Sequence, residues 1–111
     1  MKKQLIYKCN ITKYCIEFIV DSDDNSALIN TIICDHIQMR AFLALLKNSI
    51  DKLNEIGIKK IRQCIYFNEW EQFLKNKTSW KIINFDKNLQ IYDLECEIDD
   101  FLQNYGIGIG L

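Results

Sequence analysis

The strongest constraint on this chain is a change in its hydrophobic period. Up to about residue 34 the apolar residues come in short runs rich in β-branched and aromatic side chains, QLIYKCN (4–10), YCIEFIV (14–20) and ALINTIIC (27–34). Such runs read as strands. From Gln38 to Ile56 the spacing becomes helical: Phe42, Leu43, Leu46, Ile50 and Leu53 share one side, and Lys47, Asn48, Asp51, Lys52 and Glu55 the other. That pattern predicts an amphipathic helix ending at Gly57, where a positive φ costs glycine nothing. The period then returns to two in IKKIRQCIYF (58–67), with Ile61, Gln63, Ile65 and Phe67 on one face and Lys60, Arg62, Cys64 and Tyr66 on the other.

The breaks between runs fit the same scheme. DSDDN (21–25) supplies turn formers, so the first three runs make an antiparallel meander. Asn68 stands where it could cap a short helix, EWEQFLKN (69–76), with Glu69 and Glu71 in its first turn. WKIINF (80–85) and LQIYDLE (89–95) predict a second hairpin around DKN, and a last helix is predicted from Glu95 to Tyr105. The expected fold class is α+β: a mostly antiparallel sheet, order βββ-α-β-α-ββ-α, with helices packed on it. At 111 residues, with no proline, linker or repeat, residues 1–111 are expected to form a single domain.

Composition narrows the setting. The N-terminus lacks the apolar run and small-residue cleavage site of a signal peptide, and no window approaches the length of a membrane span. Cys9, Cys15, Cys34, Cys64 and Cys96 are odd in number and widely spread, which fits free thiols in a reducing cytoplasm. The 19 Ile, 12 Lys and 10 Asn against 2 Arg point to an AT-rich gene. The net charge of −1 conceals sorting: +3 over residues 1–20, −4 over 21–35, +5 over 36–85 and −5 over 86–111. Charge sorted in this way steers charged partners.

Several motifs fail on inspection. DSDDNSALINTI (21–32) begins like a calcium loop but has Ser26 for the required Gly and Ile32 for the bidentate Glu, so a hairpin turn is expected and no metal. GIGIGL ends the chain, leaving no helix for a phosphate loop to enter. Cys34 and the only histidine, His36, share a strand face but have no orienting third residue. The cluster Lys59, Lys60 and Arg62 is too small, at a pI near 5.8, to suggest nucleic-acid binding. Trp70 and Trp80 fit either core anchors or partner hot spots. The most distinctive polar feature is acidic: Asp93, Glu95, Glu97, Asp99 and Asp100 in one run, together with Asp21, Asp23 and Asp24.

Two resemblances follow. The order of elements from residue 14 is similar to the later part of the GNAT acetyltransferase fold, whose acetyl-CoA motif Q/R-x-x-G-x-G/A opens the central helix. The matching stretch here is Gln38-Met39-Arg40-Ala41-Phe42-Leu43. Gln38 fits, Ala41 replaces the first glycine and Leu43 fills the second small site, so the helix start is expected to suit a pyrophosphate poorly. The family's two early helices have no room before residue 4. That resemblance implies a degenerate acyl-CoA-binding or acyltransferase domain, with Gln38, Arg40 and Ala41 at the cofactor. The overall profile, short, slightly acidic and without a catalytic constellation, resembles bacterial immunity proteins that neutralise a competitor's toxin. This second resemblance implies a non-enzymatic cytoplasmic inhibitor with no cofactor. Its partner would be a cognate toxin domain, for example a nuclease, bound through Asp21, Asp23, Asp24, Glu69, Trp70, Glu71, Asp93, Glu95, Glu97, Asp99 and Asp100. The sequence favours the inhibitor as its first reading.

Overall fold

The computed structural model describes residues 2–35, 37–70 and 80–101, without the side chains of Met39 and Glu69. The elements are β1 (Lys2–Lys8), β2 (Cys15–Asp21), β3 (Ser26–Ile33), α1 (Met39–Glu55), β4 (Lys60–Tyr66), α2 (Phe67–Glu69), β5 (Lys81–Asp86) and β6 (Ile91–Glu97). The strands form one six-stranded sheet in the order β1-β2-β3-β4-β6-β5. Every neighbouring pair is antiparallel except β3 and β4, which α1 joins as a crossover. Among the described residues no helix is long and apolar enough to cross a membrane.

Alternation decides the faces. On β2, Ile16, Phe18 and Val20 are buried, while Glu17, Ile19 and Asp21 point the other way. The buried face continues through Ala27, Ile61, Ile65, Leu94 and Cys96, and α1 covers it with Phe42, Leu43, Leu46, Ile50 and Leu53. Ser49 is the one buried polar residue of α1, and its hydroxyl donates back to the Leu45 carbonyl at 2.7 Å. At the far end Gly57 adopts φ +93. Its N–H donates to Asn54 O and that of Ile58 to Leu53 O, both at 3.1 Å. These two bonds close the helix, and the buried Leu53 and Ile58 seal the turn beneath them.

Two boundaries differ from expectation. The last helix does not start at Glu95: β6 stays paired with β4 as far as Glu97↔Lys60, and the helical backbone begins at 98. The strand persists because Leu94, Cys96 and Ile98 alternate into the core, so Asp93, Glu95 and Glu97 lie on a strand face and not in a first helical turn. Asn68 is not a cap either. The short helix begins at Phe67, after an extended Tyr66 with no side-chain cap bond. Glu71, most of the segment 69–76, His36 and the GIGIGL tail lie outside the described residues.

Candidate functional site

The parallel pair β3–β4 is short. It is confined to Ser26↔Lys60, Ala27↔Ile61 and Leu28↔Arg62, beyond which the two strands separate. The cause lies on β3. Its register against β2 slips between Phe18↔Ile29 and Glu17↔Thr31, so Asn30 is an inserted, bulged residue. A bulge bends and twists its strand, here at the level where β3 leaves β4. Glu17 pins it from the adjacent strand, accepting hydrogen bonds from Asn30 Nδ2 and, at 2.6 Å, from Gln4 Nε2. Residues 29–33 and 63–66 are therefore not paired with each other, which leaves a notch bounded by the edges of two strands.

The notch opens at the carboxyl ends of two parallel strands, where α1 begins. In open sheets with a crossover helix this is where ligands settle. The first bond within the helix is Phe42 N–H to Gln38 O at 3.1 Å, so the N–H groups of residues 39–41 precede it. Gln38 makes no side-chain cap, and the first turn contains no acid. It contains the exposed Arg40 instead, a cation where the helix dipole is already positive, so an anion is favoured at this mouth. Ala41 packs against the core and Leu43 is 4% exposed within it. The side chain at the second small site is therefore turned into the core. The loop entering α1 is tied to β2. Tyr14 Oη donates to Asp35 Oδ1 and accepts from Gln38 N–H at 3.2 Å, and Ile37 N–H donates to the same carboxylate oxygen at 2.9 Å.

The helical segments described all pack on one face of the sheet, and no described helix covers the other, here called the bare face. At its centre Arg62 bridges Asp24 and Glu95, both at 2.9 Å, and Ser26 Oγ donates to Asp24 at 2.5 Å. The serine bond, together with Arg62, holds the Asp24 carboxyl below its ordinary value. Burial alone would lower the Arg62 guanidinium, but Glu95 and Asp24 outweigh it. Beside them Asp93 accepts from Cys64 Sγ at 3.0 Å and from Asn84 at 3.2 Å. A hollow of about 250 Å³ lies over this network, reaching Ile19, Leu28, Gln63 and Ile83 next to the vertex of the notch.

The acidic residues thus divide. Asp21, Asp24, Asp93 and Glu95 share the bare face, and Arg62 compensates the run from across the sheet. Glu97 lies on the same strand face, opposite Lys60. Asp23 is exposed in the β2–β3 turn, where its N–H donates to Asp21 Oδ1 at 3.0 Å. Asp99 lies apart, beside Asp51 and Asn54 of α1, and Asp100 is half-buried in the turn that follows β6. Trp70 is half-buried and packs edge-on against Tyr92 at 5.9 Å beside the core.

Three of the five thiols are shifted away from thiolate character. Partial burial and Asp35 raise Cys34 above its ordinary value, the wrong direction for a thiolate. Loss of solvation and the Asp93 bond push Cys64 up to about 11, and burial takes Cys96 to about 12. Cys9 goes the other way because the Thr12 side chain hydrogen-bonds it. With iodoacetamide at about pH 8, Cys9 is expected to react well before the more exposed Cys64, whose thiolate fraction is about 100-fold below that of a thiol at the reference value of 9.0. Peptide mass spectrometry over time reads the order, and equal rates at the two sites would contradict this electrostatic picture.

No family model matches the chain, and no curated protein does. Solved structures do. A nourseothricin acetyltransferase superposes with a TM-score of 0.59 at 9% identity, over 77% of this chain and 57% of the other. The PaiA N-acetyltransferase from Thermoplasma acidophilum, solved with coenzyme A, gives 0.55 at 17%, over 76% and 52%. A GNAT-family acetyltransferase from Staphylococcus aureus gives 0.58 at 17%, over 86% and 68%. The chain therefore spans little more than half the length of the first two. At these identities the likeness is one of fold: the sheet and crossover helix are arranged as in GNAT acetyltransferases.

This finding corrects the first reading of the sequence. The expectations of an immunity or toxin-inhibitor protein, and of no enzyme, give way to the acetyltransferase-like alternative, because the neighbouring folds are acetyltransferases and nothing supports a toxin partner. The physical reason is plain. A missing catalytic constellation excludes little when the cleft is built from backbone N–H groups and parted strands.

Proposed function

We propose that this chain is an acyl-CoA-binding domain of the GNAT type, serving the transfer of an acyl group from the thioester to an amine. The observation that carries the reading is the notch between β3 and β4 opening beside an uncapped, cationic helix start. The coenzyme's phosphates would lie at the mouth of α1, met by the N–H groups of residues 39–41, the Arg40 guanidinium and the Gln38 side chain. Its pantetheine arm carries amides at intervals suited to strand edges. Lying between 29–33 and 63–66, it would hydrogen-bond to both walls in the manner of an added strand. The thioester end would then reach the vertex at Leu28 and Arg62, next to the bare face and its hollow. In the transfer, the amine nitrogen bonds to the acyl carbon, the C–S bond breaks, and the coenzyme leaves as the thiol after the amine gives up its proton.

Thermal unfolding with and without acetyl-CoA tests the binding. A dissociation constant of ~100 μM gives ~1.4 kcal/mol of stabilisation at ~1 mM ligand, a rise in Tm of roughly 5 °C for a chain of this size. Absence of both a Tm shift and calorimetric heat at millimolar acetyl-CoA removes the proposal.

A further inference from the structure

The loop between β3 and α1 carries a local turn, Ile37 N–H to Asp35 Oδ1 at 2.9 Å, which does not by itself anchor the loop to the sheet. Residues 34–38 include neither proline nor glycine, and Gln38 offers no side-chain cap. A loop of this kind leaves the entry angle of its helix free to vary unless something outside holds it. The tie comes from Tyr14, 21 residues from Asp35 and 24 from Gln38 in sequence. Tyr14 is itself firmly held. Its ring is 6% exposed within the core, its carbonyl accepts from Cys9 N–H at 3.0 Å, and its N–H donates to Thr12 Oγ1 at 3.1 Å. Its hydroxyl is thus a fixed point on the β1–β2 hairpin.

We propose that Tyr14 is a positioning residue for the acyl-CoA site, its hydroxyl setting the direction of the N–H groups at the mouth of α1 by binding Asp35 and Gln38 together. The inference rests on the acyl-CoA reading. The hydroxyl does two things there. It accepts from the N–H of the N-cap residue, which fixes the backbone one residue ahead of the helix. It also donates to Asp35, which orders the carboxylate toward the hairpin while Ile37 N–H closes the local turn on the same oxygen. Without the hydroxyl, the Asp35 carboxylate loses the donor that faces it toward the hairpin, while its bond to Ile37 N–H remains, and the N–H of Gln38 loses its acceptor.

The test measures acetyl-CoA affinity by calorimetry for the full chain and four variants, with Tm recorded in parallel. Tyr14→Phe keeps the buried ring and removes the tie, and is expected to weaken binding about tenfold. Asp35→Ala is expected to weaken it by a similar factor. Asp35→Asn, which keeps an acceptor oxygen, is expected to stay within about twofold of the parent, a rescue that general loosening of the fold would not give. Because both side chains belong to one connected network, the double variant Tyr14→Phe/Asp35→Ala is expected to lose clearly less than the sum of the two single losses. If the parent binds and Tyr14→Phe binds equally well, or if the two losses add, the positioning role is overturned and the acyl-CoA reading stands. If the parent shows no binding, both fall.

Discussion

Replacing Phe18 by alanine is expected to lower the unfolding free energy by about 3–5 kcal/mol. Phe18 is fully buried, meets Tyr7 edge-on at a centroid distance of 6.0 Å, and stands between Leu5 and Ile29 in the register of the sheet. Truncation removes its burial and leaves a cavity that strands paired on both sides cannot collapse to fill. Small domains hold only about 5–15 kcal/mol in total, so the change takes a large share and lowers Tm by roughly 10–20 °C. Urea and thermal unfolding followed by circular dichroism read the effect. A loss of less than about 1 kcal/mol would mean that β2 does not lie at the centre of the core. The substitution also reaches the site, since Phe18↔Ile29 is the last pair before the Asn30 bulge that opens the notch.

Arg40→Glu is expected to move stability and affinity in opposite directions. Arg40 sits in the first turn of α1, where no acidic residue is present to match the dipole. A carboxylate there favours the helix by about 0.3–1 kcal/mol, so Tm should hold or rise by a few degrees. For a polyanionic ligand the same change removes an attraction and adds a repulsion. Together these amount to about 1–2 kcal/mol at an exposed position, or roughly 5–30-fold in dissociation constant. High salt should shrink the difference between parent and variant. Calorimetry at two ionic strengths, with Tm measured on the same samples, separates the two effects. Unchanged affinity would remove the helix mouth from the binding site.

Much of the scaffold was legible in the sequence because period and turn chemistry are local. The helix expected over 38–56 is Met39–Glu55, and Gly57 ends it with the positive φ that its position called for. DSDDN is a turn, closed through Asn25 at φ 56, and Asp86 caps the last hairpin by accepting from Asn88 and Leu89 N–H. What escaped is long-range. Nothing local says that β6 inserts between β4 and β5, or that β3 and β4 lie parallel for three residue pairs only. The Asn30 bulge carries no glycine or proline to announce it. The acidic run misled because Asp93, Glu95 and Glu97 suit a first helical turn as well as one face of a strand, and only the register with β4 decides. Leu43 looked obstructive by residue type, whereas helix rotation turns it into the core. The inhibitor reading had a similar origin: it counted side-chain constellations, and the candidate cleft is made mainly of backbone.

The most direct test of the acyl-CoA site is an amide-resolved ¹H–¹⁵N titration of the full chain with acetyl-CoA. The account predicts shifts concentrated at 37–42, at 29–33 and at 63–66, the helix mouth and the two walls of the notch, with β1 and β5 largely unmoved. Saturation with shifts elsewhere, or no shift at millimolar ligand, would contradict it.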